Sequence, residues 1–197
     1  MNNRQAVTTL ALRGISKNYT VRMVQHFLDT ACGDFEWKRY NFLYLPRRGH
    51  SHSGLAIVNF IDAQSCATCE CRLRLLQSEG VMSGIKSIGE SYIQGFAQNL
   101  AYYAAMVSED ARDANHVLVL DNGKPADINR MIRRYVTPTM MQWAVEQAEA
   151  LYRSSEKGKE QGLKCESSEE CSDRDDRRSH GSQVGMVRRR GITSDAV

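Results

Sequence analysis

Tyr40, Phe42 and Tyr44 occupy alternate positions in a short run dense in aromatic and aliphatic residues. Side chains alternate across an extended strand, so three rings of one parity share a face while Leu43 and Leu45 take the other. A row of rings is a surface on which unpaired nucleobases stack, and Arg13, Arg47 and Arg48 are cations suited to phosphates beside it. Leu55 and Ile57, also of one parity, would add apolar contacts. The row faces solvent as a stacking platform or is covered by helices from the C-terminal part, because an apolar sheet face must be used somehow.

Other chemistry is poorly represented. Cys66, Cys69 and Cys71 with His50 and His52 invite a zinc reading, but Cys66 and Cys69 also fall on the apolar stripe of a helix, so no metal and no cofactor is expected. There is no phosphate-cradling glycine loop, no His-Glu-x-x-His pair and no nucleophile elbow, and the chain reads as a binding protein, not an enzyme. The basic loop Arg47, Arg48, His50 and His52 reads as a phosphate clamp, whereas Arg133-Arg134 and Arg188-Arg189-Arg190 read as ordinary surface.

These residues need elements to position them. Thr8 to Ile15 reads as a strand with Leu10 and Leu12 on one face and Thr9, Ala11 and Arg13 on the other. Thr20 caps a helix whose stripe is Val24, Phe27, Leu28 and Ala31. Tyr40 to Leu45 and Gly54 to Phe60 are strands joined by the basic loop. Asp62 caps a second helix with a stripe of Cys66, Cys69, Leu73 and Leu76, and Ile85 to Gln94 supplies a fourth strand. That order is a split βαβ, ferredoxin-like arrangement, an α+β fold with two helices on one sheet face. A helix from Phe96 to about Met106, an added strand at His116 to Leu120, and helices at Ala126 to Tyr135 and Thr139 to Arg153 follow, the last two separated by Thr137-Pro138.

The 197 residues suit one domain with appendages, and 42% hydrophobic with 25% charged residues is ordinary for a globular chain. No window reaches the roughly 20 apolar residues of a membrane span, and the first residues lack the order of a signal peptide. The expectation is therefore a nuclear or cytoplasmic protein, not secreted, with reduced thiols and no membrane partner. Net charge is only +3, but residues 1–60 carry eight Lys and Arg against Asp29, Asp34 and Glu36. From Ser154 onward nine acidic and nine basic residues alternate with Ser and Gly, a composition expected to stay disordered.

Ser53 to Phe60 aligns with the RNA-recognition octamer of a basic residue, Gly, aromatic, Gly or Ala, Phe, Val, any residue, aromatic. Gly54, Ala56, Val58 and Phe60 match; Ser53, Leu55 and Ile57 do not. The matches have the parity that packs under helices, and the departures have the parity that meets RNA. Leu10 to Ile15 repeats the pattern, with Ala11 where an aromatic usually stacks a base. Over Thr8 to about Leu120 the chain resembles the Mei-two-like C-terminal RNA recognition motif family. The resemblance is carried by Thr8-Thr9-Leu10, Asn18-Tyr19-Thr20, Tyr40 to Pro46, the third strand, and Ile93-Gln94-Gly95 opening a further helix. It implies a recognition motif at 8–120, a helical extension at 121–153 and a charged tail at 154–197. It also implies single-stranded RNA as partner, in post-transcriptional regulation. The other reading is a protein-interaction module that holds a protein partner on the sheet face or the C-terminal helices.

Overall fold

The computed structural model describes residues 6–32, 39–48, 51–81, 84–112 and 115–164. The chain divides into two compact units, Met1–Lys157 and Gly158–Val197. In the first, β1 (Thr9–Arg13) leads to α1 (Val21–Cys32), β2 (Tyr40–Tyr44), a small hairpin of β3 (Arg47–Arg48) and β4 (Ser51–His52), then β5 (Leu55–Phe60), α2 (Ala63–Ser78) and β6 (Ser87–Glu90). After them come α3 (Phe96–Met106), a 3₁₀ turn at Glu109–Ala111, β7 (Val117–Asp121), β8 (Lys124–Pro125), α4 (Ile128–Tyr135) and α5 (Pro138–Lys164). α5 runs past the residue-153 limit expected for the helical extension. Residues 154–164 include Glu, Lys, Gln and Leu, which favour helix, and the rest of the tail expectation lies outside the described residues.

The sheet is six-stranded and antiparallel, in the order β6-β1-β5-β2-β7-β8. The added strand predicted near His116 joins it beside β2, pairing Phe42 with Val119 and Tyr44 with Val117. Asn122 and Gly123, both at positive φ, make the tight turn that returns the chain as β8. The basic loop closes as its own hairpin, with Arg47 opposite His52.

One face of the sheet carries the main core. Leu10, Leu12, Leu43, Ala56, Val58 and Phe60 point at α1 and α2, which supply Val24, Leu28, Cys66, Cys69 and Leu73 from the stripes expected of them. Both predicted caps are formed: Thr20 Oγ1 accepts from Met23 N at 3.3 Å, and Asp62 Oδ1 from Ser65 N at 2.6 Å. The cap hydrogen bond holds the Asp62 carboxyl below its ordinary range.

The other face is covered as well. Phe42, Tyr44, Val117 and Val119 pack with Leu100 and Tyr103 of α3 and Met131 of α4 in a second cluster. A buried polar network fastens α3 there. The Gln94 carboxamide accepts from Thr8 N and Thr9 N at 2.9 and 2.8 Å and donates to Thr9 O and Ser91 O at 3.0 and 2.7 Å. The Thr9 hydroxyl donates to Asn59 Oδ1 at 2.7 Å and accepts from Gly95 N and Asn99 Nδ2. Among the described residues no buried side-chain polar atom lacks a partner.

Gln94→Ala leaves two backbone donors and two acceptors in this network without that partner, and should lower unfolding free energy by about 2–4 kcal/mol. Urea denaturation monitored by circular dichroism checks this; an unchanged midpoint would show that α3 is held by apolar packing alone.

Candidate functional site: a cleft on the sheet face

α3 and α4 do not cover the whole second face. Over β1 and β5 a cleft of about 260 Å³ remains, floored by Ala11, Leu55 and Ile57 and bounded by Phe42 and Tyr44 on the β2 side. Arg13, exposed at the end of β1, stands on its lining. Its volume is just below the roughly 300–1,000 Å³ of drug-sized pockets, so it suits a single planar or branched group better than a row of them.

The rings of β2 do not form the open platform. Phe42 is 1% and Tyr44 7% exposed. Tyr103 of α3 lies edge-on to Tyr44 at a centroid distance of 4.9 Å and to Phe42 at 6.4 Å. The covering expected from the C-terminal helices is made instead mainly by α3, within 8–120, with Met131 of α4 adding to it. Tyr40 is not even on this face. The β2–β5 register passes from Tyr40↔Phe60 directly to Phe42↔Asn59, so Asn41 is the extra residue of a bulge. The bulge turns Tyr40 into the α1–α2 core, where its hydroxyl donates to Asp29 Oδ1 at 2.7 Å. Burial first, then that carboxylate, pushes the Tyr40 phenol up.

Of the residues singled out in the sequence, the fold thus brings together Arg13, Phe42, Tyr44, Leu55 and Ile57. It sends Tyr40 elsewhere. Arg47 is exposed on the hairpin that follows Pro46, itself part of the cleft lining; Arg48 is on the same hairpin, its side chain outside the described residues. His52 is buried rather than presented in a clamp: its Nδ1 accepts from Gly54 N, and Nε2 lies 3.0 Å from Ser16 O. Cys71 is exposed while Cys66 and Cys69 are buried, and no metal-binding group of His, Cys, Asp and Glu occurs among the described residues.

Sequence reasoning missed the cleft's other walls. Asn99, Tyr102 and Met106 lie on one flank of α3, at the i, i+3, i+7 spacing of a single helix face, and all three line the cleft. That spacing was a usable signal. Tyr92 is 75% exposed and Leu151 comes from α5. The Tyr92 hydroxyl donates to Gln147 Oε1 of α5 at 3.2 Å, which holds the ring at the cleft edge. Two tyrosine rings, neither on the sheet, thus border an aliphatic floor.

No family model matches the chain, and neither does any curated protein. No helix among the described residues is long and apolar enough to cross a membrane.

Two outcomes follow from the burial of β2. Phe42→Ala should destabilise the fold by about 3–5 kcal/mol, the usual cost of truncating a buried phenylalanine, as read from the denaturant midpoint. Tyr44 is pushed up to about 12 from 10.0 by burial, then by the Tyr103 and Tyr102 phenols. Its neutral form therefore contributes stability that is complete below pH 10 and is lost as pH rises towards 12. Tyr44→Phe should make stability fall less steeply across that window; an unaltered slope would mean that this phenol titrates normally.

Proposed function

We propose that this chain is a single-stranded RNA-binding protein of the RNA-recognition-motif type that takes an unstacked base into the cleft over β1 and β5. The observation that carries this reading is the position of the cleft. Its floor comes from the two central strands of a β6-β1-β5-β2 array with α1 and α2 behind it, the strand order of the ferredoxin-like split βαβ plan. In such motifs those two strands carry the base-stacking rings. Here Ala11, Leu55 and Ile57 give a flat apolar floor, and Tyr92 and Tyr102 bring rings from outside the sheet. Arg13 on the lining, with Arg47 on the exposed hairpin, supplies positive charge for the adjoining phosphates.

The aliphatic floor also favours a second reading, in which an apolar side chain of a protein partner occupies the cleft. The two differ in their response to salt, since phosphate contacts release counterions and apolar contacts do not.

Fluorescence anisotropy with short single-stranded RNAs, titrated with salt, tests the first reading. Tyr92→Ala should weaken binding about 5- to 150-fold, from the roughly 1–3 kcal/mol of one base–ring stack. Arg13→Ala should weaken it across all sequences and reduce the salt slope by about 0.7. No RNA binding by the unaltered chain, or affinity indifferent to both substitutions, would move the reading to the protein-partner module.

A further inference from the structure

On the opposite side of the sheet from the cleft, Cys32 and Cys69 meet across the α1–α2 contact with their sulfurs 3.0 Å apart. Both are buried, at 4% and 1% exposure, and both are free thiols. We propose that they are a redox-closable pair, which a peroxide-class oxidant converts to a disulfide tying the end of α1 to α2. The inference stands apart from the proposed function, because neither residue lines the cleft.

Disulfide sulfurs are about 2.05 Å apart, so the pair must close by only about 1 Å. Cys32 is the last residue of α1, and helix ends open locally more readily than a helix interior such as the part of α2 that holds Cys69.

The surroundings also distinguish the two thiols. Arg72 reaches over from α2 and donates through Nη1 to Ala31 O and Cys32 O at 3.2 and 3.0 Å, bringing a guanidinium beside Cys32. The hydrogen bond shared with Cys69 lowers the Cys32 thiol from its ordinary value; burial and Asp29 oppose this, and Arg39 and Arg72 assist it. The same hydrogen bond and burial push Cys69 up. The Arg72 guanidinium beside Cys32 favours Cys32 as the thiolate that attacks first, with Cys69 as the thiol that resolves.

The chemistry balances with one peroxide per disulfide. The Cys32 thiolate attacks one peroxide oxygen, the O–O bond breaks, and the departing hydroxide takes a proton to become water, leaving Cys32 as the sulfenic acid. The Cys69 sulfur then attacks the Cys32 sulfur. The S–O bond breaks, and the hydroxyl leaves with the Cys69 proton as a second water. Two thiols have lost two electrons and two protons in all, and the peroxide has accepted them.

The bond would close a loop spanning a sequence separation of 37 residues, between elements already packed together, so oxidation should stabilise the native fold. A rise in melting temperature of about 5–15 °C is expected, reversed by dithiothreitol.

The test treats the full chain with hydrogen peroxide, blocks remaining thiols, and maps peptides by mass spectrometry without reduction. The expected result is a Cys32–Cys69 cross-linked peptide pair, an intact mass lower by two hydrogens, and the thermal shift. The cross-link should disappear in Cys32→Ser and Cys69→Ser and persist in Cys66→Ser and Cys71→Ser. Oxidation of exposed Cys71 with Cys32 and Cys69 still reduced would overturn the proposal, and so would a cross-link from either residue to Cys66 or to a second chain. Because the map of the unaltered chain decides this alone, a serine variant that fails to fold does not blunt the test.

Discussion

The Thr9–Gln94–Asn59 network is the constraint on which the second face of the sheet depends. A sheet that buries one face against α1 and α2 still has Phe42, Tyr44, Val117 and Val119 on the other, and α3 is the element that shields them. The backbone of α3 cannot reach the strands, so the join is made by side chains. Gln94 uses its carbonyl twice on the N–H groups that open β1 and its amide twice on carbonyls. Thr9 then accepts from the N–H of Gly95, the N-cap residue of α3. Gly95 has a φ of 89°, a conformation that L side chains rarely adopt, and an added Cβ would also run into Gln98. The Thr8-Thr9 and Gln94-Gly95 segments are thus two halves of one joint.

The same joint explains the fate of the aromatic row. In a four-stranded sheet β2 would be an edge, and its rings would be easy to leave open. Here β7 pairs along it, placing Val119 and Val117 beside Phe42 and Tyr44 and turning β2 into an interior strand. α4 then closes over the widened face through Met131, with Ile128 and Ile132 partly buried around it. The edge passes to β8, which has only two residues, one of them Pro125, a short end of the kind that resists pairing with another chain.

How much of this was legible in the sequence varies from strand to strand, for identifiable reasons. Parity held on β1 and β5, whose register with each other is regular: Leu10, Leu12, Ala56, Val58 and Phe60 are in the main core, and Ala11, Leu55 and Ile57 face the cleft. It failed at Tyr40 because Asn41 is an inserted bulge residue. The Asn41 side chain accepts from Asn59 Nδ2 at 2.7 Å, an interaction between strands that no local pattern announces. Helical periodicity found α1 and α2, and a helix from Phe96 to about Met106 was expected without a stripe being assigned to it. It does not say which sheet face receives a stripe, so α3 could be placed in the sequence and not on the fold. The fourth strand is shorter than expected, Ser87–Glu90, because Ser91 already turns the chain towards Gln94.

Covering most of the face has an energetic consequence for whatever enters the cleft. A motif with rings on both central strands stacks two or three bases, each worth roughly 1–3 kcal/mol. Here the two central strands offer only aliphatic floor, Phe42 and Tyr44 on β2 are engaged by Tyr103, and the more open rings, Tyr92 and Tyr102, come from the approach to α3 and from α3 itself. On the proposed reading, recognition by shape thereby moves from the sheet to the element that the Gln94 joint positions. On the proposed reading the base-stacking contribution is limited to about one base. The balance of affinity must then come from Arg13 and the basic hairpin acting on phosphates, contacts that fix register along a strand and do not distinguish one base from another.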